Sequence, residues 1–139
     1  MKKIKDKLQS NGLSRNISFF ACAVGIVTLA AYCIYGAVFD YFDTVVCGFL
    51  ALAVVLDALH FFAAAKAASA CNLLSVMCLS GAIALFFLNS FPVWADELNG
   101  ITMYASRGGL PPVIAILILL FIAALAEIVS CFIPAKEDK

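Results

Sequence analysis

Charge is what this chain has least of. Lys, Arg, Asp and Glu make up 13% of its 139 residues, 65% are hydrophobic, and the mean hydropathy is +1.06. A soluble domain carries about twice that share of charge, so a water-facing globule is excluded. Histidine occurs once, at His60. A lone imidazole rules out paired-histidine and H-E-x-x-H zinc sites. There are six cysteines, Cys22, Cys33, Cys47, Cys71, Cys78 and Cys131, but no C-x-x-C spacing. All lie in apolar runs or at their edges, where a thiol serves as a small, polarizable packing group.

Other absences narrow the function. No nucleophile is matched with a base, so no enzymatic activity is expected. No nucleotide-binding motif occurs. Arg107-Gly108-Gly109 offers backbone N–H groups near the start of an apolar run, yet lacks the spacing of a phosphate loop. The basic arm at the N-terminus is short and poor in aromatics, which excludes a nucleic-acid partner. No metal and no cofactor is expected. The first apolar run carries no acid, unlike small multidrug exporters, and the connections carry no cysteine, unlike tetraspanin-like proteins.

What is there is a set of long apolar runs, at about 17–36, 44–64, 71–91 and 111–133. Each approaches the ~20 residues that an α-helix needs to cross the hydrocarbon core. Lipid satisfies no backbone polar group, so a spanning segment is a helix or a closed barrel strand. Barrel strands are shorter and alternate polar with apolar residues. The runs do neither, and the expected fold is all-α: an integral-membrane four-helix bundle forming one transmembrane domain over 1–139. The first run follows Met1, Lys2, Lys3, Lys5 and Lys7 as in a signal peptide, but it is too long for one and lacks a small-residue cleavage site, so it reads as a retained helix.

Orientation follows the basic residues. Lys2, Lys3, Lys5, Lys7, Arg15, Lys66, Lys136 and Lys139 fall on one side of an antiparallel up-down-up-down chain, and Arg107 alone on the other. The expectation is an inner-membrane protein with both termini in the cytoplasm. Residues 1–16 then form a basic cytoplasmic arm against anionic headgroups, and 92–110 an outer loop. Ser14 or Asn16 is the expected cap of the first helix, with Tyr32 and Tyr35 at its far interface. Residues 65–70 are the expected connection before the third span. Asn99-Gly100 is a turn former, Pro111-Pro112 opens the last helix, and Pro134 ends it. Ala21, Gly25, Gly48, Ala53, Gly81 and Ala84 favour close helix packing, within the bundle or between copies.

The chemistry-bearing residues are few. Asp57, His60 and Glu127 lie inside apolar runs, where a central carboxylate costs about 2.5–3.5 kcal/mol and normally faces protein or water. Asp57 and His60 share a helical face. Counted from the cytoplasmic ends of their runs at 1.5 Å per residue, Asp57 is about 11 Å deep and Glu127 about 9 Å. Asn72, Ser75 and Ser130 could join that layer. Asp40, Asp43, Asp96 and Glu97 form an acidic outer rim that would concentrate cations or meet a basic partner.

Two roles follow. The first is a non-enzymatic accessory or interaction subunit of a membrane assembly, with the bilayer and a membrane protein or a second copy of the chain as partners. The second is a small cation- or proton-coupled transporter or channel using Asp57, His60 and Glu127. Geometry separates them. A Glu127 turned to the headgroups, with Asp57 bonded only to His60, favours the first. Convergence of Asp57, His60 and Glu127 on a water-reachable cavity favours the second.

Overall fold

A computed structural model describes residues 2–60, 65–103 and 108–132, with side chains placed for 16–60, 67–103 and 108–132. The elements are α1 (Lys2–Phe39), α2 (Thr44–His60), α3 (Ala65–Asn89), α4 (Phe91–Asn99) and α5 (Leu110–Phe132). Asn16–Phe39, Ala67–Asn89 and Leu110–Phe132 are long and apolar enough to cross a bilayer, and α2 is apolar over its 17 residues. The chain is an all-helical protein of the kind that packs as a membrane bundle.

The long helices close a ring. α1 packs on α2 and α5, and α3 packs on the same two neighbours. Their inward faces carry Val46, Leu50, Leu79, Phe86, Val113, Ile116 and Leu120, all nearly inaccessible. Their outward faces carry Phe19, Ile34, Val55, Met77, Leu88 and Leu125, each at least half exposed. A surface this apolar belongs in lipid, not water. Small residues set the helix spacing in places. A Cβ on Gly25 of α1 would come within 3.3 Å of Val54 on α2, and Ala21 and Ala53 are buried. Gly48 and Ala84, by contrast, are exposed.

Several helix boundaries differ from those the sequence suggests. α1 runs straight through Ser14 and Asn16, so neither caps it. With 38 residues it is about 57 Å long at 1.5 Å per residue, well beyond the ~30 Å hydrocarbon core. No proline interrupts Lys2–Phe39, and the basic segment is rich in good helix formers. α3 likewise begins at Ala65, because Ala-Lys-Ala-Ala-Ser-Ala has high helix propensity and no breaker. The expected outer loop contains α4, started by a proline in its first turn and stopped at Gly100 (φ 62°). The bonds Ile101 N–H to Asp96 O (3.0 Å) and Gly100 N–H to Glu97 O (3.4 Å) form a Schellman stop. Pro111 and Pro112 lie in the first turn of α5 as expected.

At the α1–α2 turn, Asp40 takes a left-handed conformation (φ 50°), and Tyr41 N–H bonds back to Gly36 O at 3.1 Å. This is a second Schellman-type stop, with aspartate where glycine is usual. Tyr32 and Tyr35 do not line a lipid interface. They are 2% and 3% exposed and stack edge-on against Phe86 at 5.7 and 6.1 Å, closing this end of the core with aromatic contacts. The side chains of Lys2, Lys3, Lys5, Lys7, Arg15 and Lys66 lie outside the described set, as do Tyr104, Arg107, Pro134, Lys136 and Lys139.

Candidate functional site: a polar layer across the bundle

Asp57 and Glu127 face the core because of where they fall in their helices. The buried stripe of α2 is Val46, Leu50, Ala53 and Asp57. In α5 it includes Leu120, Ala123, Ala124, Glu127 and Ser130. Spacings of three and four keep each carboxylate on the face that its apolar neighbours bury. Asp57 is 1% exposed and Glu127 0%. The Glu127 carboxyl is therefore not turned to the headgroups.

α2 and α5 stand across the ring from each other, and their carboxyls come within side-chain hydrogen-bonding reach. Two ionised carboxylates are both acceptors. Contact between them becomes a bond only with a proton or a cation between them. Ser75 on α3 is within hydrogen-bonding reach of Asp57, and its hydroxyl also donates to Ala53 O at 3.5 Å. Asn72 donates through Nδ2 to Ser130 Oγ at 2.9 Å, and Ser130 Oγ meets Ser18 Oγ at 2.6 Å. All of these side chains are buried. Each helix of the ring thus supplies a polar group to one layer: Ser18 from α1, Asp57 from α2, Asn72 and Ser75 from α3, Glu127 and Ser130 from α5.

The layer is rich in acceptors and poor in donors. Asp57 Oδ1, Asn72 Oδ1, Glu127 Oε1 and Glu127 Oε2 are buried without a hydrogen-bond partner. Each such group costs about 1–3 kcal/mol. His60 is half-buried at the margin, with Nδ1 3.2 Å from Ala68 O. Of the expected cluster, Asp57, Asn72 and Glu127 sit inside the layer and His60 at its edge. Ser18 is a member that sequence reasoning missed. Its place, just inside the start of the apolar part of α1 as Ser130 is just inside the end of α5, was the available signal.

Beyond this layer the core is largely apolar. Leu50, Leu79, Leu120, Val46, Ile116 and Phe86 fill it up to Tyr32 and Tyr35. A polar route from Asn89 and Ser90 through Cys78 and Ser80 does not line up. Ser80 is exposed on the outer face of α3, Asn89 is bonded to the Asp43 carboxylate, and Ser90 Oγ is engaged with Phe87 O and the Trp94 indole. The buried Thr28 hydroxyl is spent on Val24 O at 2.7 Å.

The acidic rim divides in two. Asp43 caps α2, accepting Val45 N–H at 2.7 Å, and its backbone N–H and O both bond to the Tyr32 hydroxyl, at 2.9 and 3.1 Å. Asp40 occupies the left-handed stop of α1. These two acids serve helix ends. Asp96 and Glu97 instead border a cavity of about 200 Å³ with Val93, Thr102, Gly108 and Leu110. Among the described residues no group of three or more His, Cys, Asp and Glu is placed to hold a metal ion.

Comparison with protein families, with curated proteins and with solved structures finds no match to this chain. The fold and the layer place it among helical membrane proteins with ionisable groups inside the bundle.

Proposed function

We propose that this chain is an inner-membrane protein with four crossings and both termini in the cytoplasm, and that the Asp57–Glu127 pair binds a proton or a small cation as part of a cation- or proton-coupled transporter or channel. The apolar run 44–64 is the fourth crossing. The basic residues of 1–16, Lys66 and the tail then remain on the cytoplasmic side.

One observation carries the reading: two carboxyls meet in a buried layer whose spare acceptor oxygens have no donor. Ionisable residues inside a membrane bundle generally mark ion pathways or relays. A donor-poor set of hard oxygens suits a proton or an oxygen-seeking cation. The layer lies toward the end of the bundle that carries the α2–α3 connection, and the leucine-rich core beyond it serves as an apolar gate of the dewetting kind. The accessory role expects Glu127 at the headgroups and Asp57 partnered by His60 alone, and the burial of Glu127 beside Asp57 weighs for the ion-binding role.

The test is flux into proteoliposomes, followed with a trapped pH dye and with isotopic sodium. Wild type is expected to exceed empty vesicles for at least one of the two ions. Asp57→Asn and Glu127→Gln are each expected to abolish the excess. No wild-type excess for either ion, or full activity in both variants, rejects the transporter role and returns the chain to the accessory one.

A further inference from the structure

We propose that α4 is an interfacial helix, lying in the headgroup–acyl boundary at the end of the bundle that carries the α1–α2 turn, with its apolar face turned out into lipid. The inference does not depend on the ion-binding role.

The face that α4 gives the bundle is narrow. Only Val93 is buried, at 4% exposure. On the opposite side Phe91 and Leu98, seven residues apart and therefore on one face, are 63% and 84% exposed. Trp94 and Ala95 flank that face and are half-buried. Asp96 and Glu97 flank Val93 instead, and border the cavity described above. The polarity of the helix is thus reversed from that of a helix packed on a soluble protein: its charges lie beside the bundle and its largest apolar groups point away.

Continuity identifies what covers the outward face. α3 is long and apolar enough to cross a bilayer, and α4 starts two residues after its end. Phe87 and Leu88, in the last turn of α3, are 50% and 66% exposed on its lipid-facing side. The Trp94 ring packs on Phe87 at a centroid distance of 5.8 Å. The apolar strip therefore runs unbroken from the spanning helix onto α4. Past the Schellman stop Ile101 turns to the cavity beside Asp96 and Glu97, and Met103 is 75% exposed. A short helix with an apolar face, a charged flank and a tryptophan at the level where the chain leaves hydrocarbon has the composition of an interfacial segment. Trp94 Nε1–H already has an acceptor in Ser90 Oγ at 3.1 Å, so the indole enters the boundary with its polar atom satisfied.

The test uses the protein's own probe, since Trp94 is the single tryptophan. The full chain is reconstituted in phosphatidylcholine bilayers brominated either near the carboxyl end or near the methyl end of the acyl chain. Expected are an emission shifted to shorter wavelength and a loss of emission that is larger with bromine near the carboxyl end. The double variant Phe91→Asp, Leu98→Asp should lose both effects while keeping the helicity of the wild type. Quenching only by a water-soluble quencher overturns the proposal, as does stronger quenching at the methyl end. Equal quenching in wild type and double variant overturns it too, because Trp94 would then be held by Phe87 alone. If lipid quenching is absent and cysteines introduced at position 98 cross-link between copies, the face belongs to a dimer.

Discussion

Replacing Glu127 by glutamine should make the bundle more stable and, on the proposed function, inactive. Glu127 is fully buried, and both its carboxyl oxygens lack a donor. Asp57 Oδ1, on the residue facing it, is in the same condition. Glutamine keeps the shape and one acceptor, removes the other, and brings two N–H donors. One orphan oxygen disappears and the Asp57 carboxyl gains a donor. At a cost of about 1–3 kcal/mol for each unsatisfied buried group, relieving part of this set should raise the unfolding free energy by about 1–3 kcal/mol. The assay is reversible unfolding in mixed micelles by titration with sodium dodecyl sulfate at neutral pH. Glu127→Leu is the informative control: it deletes both orphan oxygens but offers Asp57 nothing, so its gain should be the smaller.

Ligand linkage supplies a second measurement on the same proteins. A cation that binds only the folded state stabilises it by about 2.7 kcal/mol at a hundred times its dissociation constant. Wild-type stability should therefore climb with the concentration of the bound ion, and that of Glu127→Gln should stay flat. A glutamine variant less stable than wild type by about 1 kcal/mol or more would falsify the stability argument, because the wild-type pair would then already hold a proton or another donor between its carboxyls.

The two acids of the α1–α2 turn should respond in opposite directions. Asp43→Ala removes the cap on Val45 N–H and the partner of Asn89, and should cost about 1–2 kcal/mol in the same unfolding assay. Asp40→Gly relieves a left-handed residue (φ 50°) and should be neutral or stabilising by up to about 1 kcal/mol. If Asp43→Ala leaves stability unchanged while altering ion flux, Asp43 belongs to an ion entrance rather than to a helix end. Ser130→Ala takes the acceptor at 2.9 Å from Asn72 Nδ2 and the partner at 2.6 Å from Ser18, on two other helices. It should cost about 1–3 kcal/mol, and a loss below 0.5 kcal/mol, roughly the low end for any hydrogen bond, would show that the serine–asparagine link does not hold α1, α3 and α5 together.

The sequence alone determined that the chain is helical and suited to lipid. Apolar length and the backbone's need for internal hydrogen bonds leave no other solution, and neither depends on which helix touches which. It also exposed Asp57 and Glu127, because a carboxylate in a greasy run stands out wherever it is. The shortfalls were local. Pro92 and Gly100 bracket α4 as plainly as Pro111 opens α5, yet the polar residues between them read as loop. The basic segment before Asn16 read as an arm, yet α1 runs through it in spite of Asn11 and Gly12. Asp40 and Asp43 looked like a charged rim because a count of acids does not say which oxygen a backbone N–H already holds.

Tertiary structure decided the rest. Helical periodicity places Asp57 in line with Leu50 and Ala53, and Glu127 in line with Leu120 and Ala123, but it says nothing about which helix stands opposite. The closed ring sets α2 across from α5, so that two carboxyls from distant parts of the chain share one buried layer, with Ser18 and Asn72 drawn into it. Side-chain burial and the scarcity of donors are properties of that assembled layer. A pattern with a period of 3.6 residues fixes a face, and only packing fixes what the face meets.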